Sequence, residues 1–154
     1  MGNICRSPTA EGVLRAKALA AGVSIHVDSC GTHGYHIGEP PDRRSQQHAL
    51  RRGYDLSAQR ARQVEARDYA RFDLILAMDS RNLALLEAGC PAAHRHKLQR
   101  LLAYSTLDRD GDVPDPYYDG DAGFERVLDL IEDAVDQLLL AVHAADETAR
   151  GSLS

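Results

Sequence analysis

A continuous apolar run, Leu74 to Met78, closed at each end by an aspartate (Asp73 and Asp79), is the feature that most narrows the fold of this chain. A strand with one wet face alternates apolar and polar residues, whereas a run apolar at every position reads as a strand covered on both faces, as in a parallel sheet. Such a sheet needs helices on its faces, and the sequence supplies them. From Pro8, Ala10, Val13, Leu14, Ala18 and Ala21 recur at helical spacing and Gly22 stops the pattern. Asp42 caps a helix running to about Arg52 and closed by Gly53, and residues 82–88 read as another. Phe124, Val127, Leu128, Ile131, Val135, Leu138, Leu139 and Val142 form the clearest amphipathic helix. A polar tail is expected from about His143.

Between these helices, Val23, Ile25 and Val27 alternate with Ser24, His26 and Asp28 and predict a short strand, followed by a loop from Ser29 to Pro41. Leu98, Leu101 and Leu102 fit a helix or a short strand equally. Strands alternating with helices imply an α/β layer fold with a parallel sheet. The expected organisation is one domain over residues 1–143 and a polar C-terminal tail over 144–154.

Composition excludes several classes. With 44% apolar and 27% charged residues the chain is an ordinary globular protein rather than a disordered one. No stretch approaches the roughly 18 apolar residues of a membrane span. A net charge of -5 gives no footprint for nucleic acid. Three cysteines, and no basic-then-apolar leader at the N-terminus, point to a reducing cytoplasm. His94 and His96 have no partners spaced to hold a metal, and arginines 43, 44, 51, 52, 60 and 62 read as a solvated basic face.

Two loops carry the chemistry, because ligands of parallel sheets bind beyond the carboxyl ends of the strands. In the first, Gly2-Asn3-Ile4-Cys5-Arg6-Ser7-Pro8, a turn leads into a helix start. It reads either as a plain helix entry capped by Ser7, or as an anion cradle in which backbone N–H groups and the helix dipole meet the Arg6 fork. In the second, Val113-Pro114-Asp115-Pro116-Tyr117-Tyr118, two prolines fix an acid ahead of two rings. Turn chemistry explains that pattern; so does a general acid held over a bound anion.

Over residues 2 to about 142 the chain resembles the low molecular weight protein-tyrosine phosphatases. The points of match are Gly-Asn-Ile-Cys-Arg-Ser-Pro-Thr-Ala-Glu at 2–11, Asp28-Ser29 with Gly38, Pro41 and Asp42, Ala61-Arg62-Gln63, Ala77-Met78-Asp79 with Asn82-Leu83, and Asp115-Pro116-Tyr117-Tyr118. The resemblance implies a three-layer α/β/α fold around a short parallel sheet, four-stranded in the family. It also implies hydrolysis of a phosphomonoester through a cysteinyl-phosphate, without metal or cofactor. Gly2, Asn3, Ile4, Cys5, Arg6 and Ser7 would form the phosphate loop, with Arg6 on the equatorial oxygens and Ser7 steadying the thiolate. Asp115 would protonate the leaving phenolate and then activate water. Asn3 would hold the loop through Ser29, Asp79 would support Arg6, and Tyr35, Tyr117 and Tyr118 would wall the substrate ring. The implied partners are a phosphotyrosine protein or a small aryl phosphate, with phosphate or sulfate at the loop, and neither nucleic acid nor membrane. The expected molecule is a bacterial monomer, the loop Gly31 to His36 looking like the bacterial version.

The chain departs from that pattern at the nucleophile. The family's cysteine lies six residues ahead of its arginine, which is one position before Met1, and Cys5 matches the second loop cysteine instead. The family's first strand, between those matching 23–28 and 73–78, would be absent too. Met1 as an internal methionine of a longer chain is the preferred explanation, and a genuine short form the other. The 154 residues as they stand are therefore expected to be inactive unless extended upstream. A silent phosphate-binding or regulatory module is the alternative function. Arsenate reductase fits less well, since Cys90 stands alone in its region. Gln59 replaces a histidine common among relatives, and Tyr35 a tryptophan of vertebrate members.

Overall fold

The computed structural model describes residues 4–116 and 120–151, without side chains over 148–151. Its helices are α1 (Arg6–Ala20), α2 (Arg43–Arg51), α3 (Ala66–Arg71), α4 (Ser80–Gly89) and α5 (Gly120–Gly151), and its strands are β1 (Ile75–Ala77) and β2 (Leu98–Arg100). The strands pair in parallel, with Ile75 opposite Leu98, Leu76 opposite Gln99 and Ala77 opposite Arg100. Leu98 is thus in a strand, and Leu101 and Leu102 lie in the short 3-10 turn Leu101–Tyr104 that follows it.

The apolar run around β1 serves two cores, as a period of two requires. Leu76 and Met78 pack with Val13 of α1 and Val127, Ile131 and Val135 of α5. Ile75 and Ala77 pack on the opposite side with Tyr69 of α3 and Leu86 of α4. The result is the expected α/β/α layering, with α1 and α5 over one face of the sheet and α3 and α4 over the other. Helix boundaries follow local chemistry. Asp42 accepts from the N–H groups of Arg44 and Ser45 at the start of α2, and Asp79 from that of Asn82 at the start of α4. At Gly53, just after α2, φ is +91°, a conformation that favours glycine.

Two expectations need correction. Residues 23–28 form no strand: their backbone joins no ladder, and side chains hold the segment instead. Arg15 Nη2 donates to Val27 O at 2.8 Å, Arg62 Nε reaches Asp28 at 3.1 Å, and His26 stacks on Phe72. An alternating pattern becomes a strand only when another strand takes its N–H and C=O groups, and among the described residues β1, the next extended segment, pairs with β2 alone. Helix α5 runs on to Gly151, and His143 and Glu147, both exposed, form an i,i+4 pair on it at 3.2 Å. Two arginines of the supposed solvated face are tied into the structure. Arg52 binds Glu125, Asp129 and Glu132 of α5, and Arg62 binds Asp28 and Asp68.

Helix α3 was not foreseen. Its cap is reciprocal, Glu65 and Asp68 each accepting from the other's backbone N–H, and six residues are too few to show a periodicity.

Candidate active site

The site lies where α1 begins beside the carboxyl end of β1. Cys5 is the N-cap of α1, and its side chain makes no capping bond. The helix therefore starts at Arg6, and Ser7 lies within the first turn rather than capping it. The loop ahead is pinned by Asp42, whose N–H donates to Ile4 O at 2.6 Å. Gln59 Nε2 donates to Pro8 O at 3.0 Å from the other side. A helix N-terminus presents N–H groups and the positive end of the dipole, an arrangement suited to an anion.

Arg6 is 6% exposed, so its charge needs partners. It has them across the sheet: Nη1 donates to Asp79 Oδ2 at 2.7 Å and to Val113 O at 2.8 Å. Both bonds use one nitrogen, and a guanidinium has three further N–H groups on Nε and Nη2. Burial by itself would raise the Asp79 carboxyl. The N–H of Asn82 and the guanidinium of Arg6 outweigh it and hold that carboxyl below the usual range. The support of Arg6 by Asp79 is thus present as expected. The carbonyl of Val113 is a second support that residue type cannot reveal, because every residue carries a carbonyl.

Val113 N–H donates to Met78 O at 2.9 Å, which ties the acid loop to the end of β1. Val113 and Pro116 are fully buried, and Asp115 between them is exposed. Asp115, Arg6, Cys5, Ser7 and Tyr35 line one groove. Tyr35 is 74% exposed and stacks on His33 at 5.2 Å between centroids, so its ring stands at the rim. Gly2, Asn3, Tyr117 and Tyr118 lie outside the described residues.

Ser29 is held by a residue the sequence did not single out for this task. Its Oγ donates to Glu11 Oε1 at 2.8 Å, and Glu11 Oε2 takes Arg15 Nη1 at 2.9 Å. Glu11 is 7% exposed, and a Glu on the polar face of a helix gives no sign of that burial.

Cys5 is not built as a nucleophile. Burial, joined by the carboxylates of Asp42 and Asp115, pushes its thiol from 9.0 up to about 11 despite Ser45 and Arg44. A neutral thiol is a poor nucleophile at neutral pH.

The family model of the low molecular weight phosphotyrosine protein phosphatases matches residues 1–148. The chain belongs to the low molecular weight protein-tyrosine phosphatase family. Within it, the Bacillus subtilis phosphatase YfkJ is 40% identical over 144 residues, covering 92% of this chain and 91% of its own. The human phosphatase is 40% identical over 131 residues, covering 82% of each chain. Among solved structures, an Entamoeba histolytica protein tyrosine phosphatase with Hepes in its active site superposes with a TM-score of 0.91 at 36% identity, over 95% of this chain and 94% of that one. A phosphatase chain with this layering accounts for the position of Arg6, at the carboxyl end of the sheet and the amino end of a helix.

Proposed function

We propose that this site hydrolyses phosphate esters of phenols, either phosphotyrosine in a protein or a small aryl phosphate, through a cysteinyl-phosphate. The observation that carries the reading is the buried Arg6 at the start of α1, fixed by Asp79 and Val113 O, with Asp115 on the same groove. In the first step a thiolate attacks phosphorus, the bond from phosphorus to the phenol oxygen breaks, and Asp115 gives its proton to that oxygen. Arg6 and the N–H groups at the start of α1 hold the phosphoryl oxygens as charge redistributes. In the second step Asp115 takes a proton from water, water attacks phosphorus, and the phosphorus–sulfur bond breaks to return the thiolate, steadied by Ser7. We assign Tyr35, Tyr117 and Tyr118 to the pocket wall, Asn3 and Ser29 to loop support, and Gly2, Ile4 and Cys5 to the loop itself. The enzyme would work as a monomer in a bacterial cytoplasm, and two of the most similar relatives are bacterial.

The thiolate belongs six residues ahead of Arg6, a position the 154 residues do not include. The Cys5 thiol, pushed up to about 11 by burial, does not supply that thiolate. Two proteins test this reading: the 154-residue chain, and the same chain preceded by an apolar strand ending in cysteine. The extended protein is expected to turn over phosphotyrosine, and the shorter one to bind phosphate with negligible turnover. Asp115→Ala in the extended protein is expected to lower kcat on phosphotyrosine by about 10²–10⁴-fold. The loss should be smaller on p-nitrophenyl phosphate, whose leaving group needs no proton. Equal losses on the two substrates would remove Asp115 from the role of acid. Turnover by the shorter chain that disappears in Cys5→Ser would overturn the assignment of the nucleophile.

A further inference from the structure

Helix α2 opens the most one-sidedly charged stretch of the chain. Residues 43–62 include six arginines and one acid, Asp55, in a protein whose net charge is -5. Arg52 and Arg62 bind carboxylates of the fold, and Arg44 pairs with the cap Asp42 while its guanidinium lies over Phe124. Arg43 and Arg51 are exposed and form no ion pair among the described residues. With Gln47 and Leu50, which is 62% exposed, they make one outward face at i, i+4, i+7 and i+8. The opposite face, with Ser45, His48 and Ala49, is buried.

Helix stability does not account for this placement. A cation suits the last turn, where Arg51 stands, but opposes the dipole at the first, and α2 opens on Arg43 and Arg44 with no acid in that turn. The face also starts at the site. Asp42 N–H holds Ile4 O at 2.6 Å, next to Cys5 and Arg6. The Arg44 cation is close enough to Cys5 to act against the burial that raises its thiol. From Arg43 to Arg51 the helix covers about 12 Å, the length of about four residues of extended peptide. Beyond His48, the side chain of Asp121 is 89% exposed at the start of α5, so carboxylates are repelled on that side and drawn to α2.

We propose that the outer face of α2 docks the acidic flank of a phosphotyrosine polypeptide, with two or more carboxylates on one side of the phosphotyrosine. They lie within about six residues of it, about two to leave the pocket and four along α2. The inference rests on the reading given under Proposed function and narrows its substrate class. Arg43 and Arg51 meet the carboxylates, and Leu50 between them takes an apolar side chain of the same segment. Exposed charges of this kind act mainly on the rate of association and are screened by salt. An anionic membrane is a poorer match, because one exposed leucine gives the helix no apolar stripe to insert.

The test uses the 154-residue protein and peptides in which phosphonomethylphenylalanine replaces phosphotyrosine, so that binding is read without turnover. Glutamates and a leucine are placed before or after it, and serines replace them in the control. Glutamates on one flank are expected to raise affinity about tenfold at about 50 mM salt, mostly through faster association, and most of that gain should vanish at about 500 mM. Arg43→Glu places an acid where the dipole favours one, so the thermal midpoint should stay level or rise while the gain is lost. Affinity for benzylphosphonate, too short to reach the outer face of α2, should stay within about twofold. Arg51→Gln should lower the gain about threefold. Equal affinity for acidic and serine flanks, equal gain from either flank, or a gain that survives Arg43→Glu would each overturn the proposal. So would a lower midpoint in that variant, which would make Arg43 a structural residue, or binding to phosphatidylserine vesicles that the variant abolishes. Failure of benzylphosphonate to bind refutes the reading of the site itself, whereas benzylphosphonate binding without any gain from glutamates refutes the docking face alone.

Discussion

A single buried cation organises the site. Arg6 is held by a carboxylate whose other oxygen caps α4, so Asp79 does two tasks that different substitutions separate. Asp79→Asn keeps an acceptor for the cap and loses the charge, and a loss of about 1 kcal/mol is expected. Asp79→Ala removes the cap and leaves Arg6 with Val113 O, and about 2–3 kcal/mol is expected, since removing one partner of a buried pair strands the other. Urea unfolding measures both, and equal losses would mean that the charge pairing contributes little. Gly12 gives a second test at this scale. A Cβ there would lie 2.3 Å from Leu56 Cδ2, and Leu56 is 1% exposed, so its side chain has no room to swing away. Gly12→Ala is expected to cost about 1–3 kcal/mol by overpacking, checked as a fall in thermal midpoint. Arg6 and Asp115 were legible as candidates because their types suit the tasks proposed for them, a fork for an anion and an acid between prolines. Glu11 and the carbonyl of Val113 were not, because their roles follow from burial and from a neighbour far along the chain.

Among the elements, the joint between α2 and the start of α5 bears most directly on the acid loop. His48 is 3% exposed, with Nδ1 2.6 Å from Glu125 Oε1 and Nε2 3.1 Å from Asp121 Oδ1. Its ring stacks on Phe124, over which the Arg44 guanidinium also sits. A neutral imidazole has one N–H and serves one of these carboxylates; the cation serves both. His48→Ala is expected to loosen the first turn of α5, which follows directly on the acid loop, and to cost about 1–3 kcal/mol. Hydrogen exchange over residues 120–126 checks this, and unchanged protection there would rule out the joint as a brace. The helices and the apolar strand were readable from period and caps. The segment 23–28 misled because its alternation is real, but alternation states which faces are suited to burial and not whether a partner strand is in reach.

For the molecule as a whole, ionisable groups bound the stable pH range. At Asp79 burial opposes ionisation, but bonds from Asn82 and Arg6 prevail; at Asp133 burial is likewise outweighed, by Thr106 and Ser105. His48 and Arg52 lower Glu125. All three carboxyls lie below their ordinary values, so the stability they contribute is present above about pH 4 and is lost as pH falls through the folded values. Burial pushes the thiols of Cys5 and Cys30 from 9.0 up to about 11, so the unfolded chain ionises first and stability falls between those values. Thermal midpoints across pH are expected to form a plateau between about 4 and 9, and Cys30→Ala should flatten the alkaline limb. A midpoint that stayed level from pH 9 to 11 would contradict the burial of these thiols. The sequence by itself determined the layered α/β architecture and the two loops, 2–8 and 113–118, in which a site was to be sought, because period, capping and residue chemistry are local and survive without coordinates. Only the tertiary structure decided that Arg6 is buried against Asp79 and Val113 O, that Glu11 holds Ser29, and that the Cys5 thiol is buried, because each depends on segments brought together from distant parts of the chain.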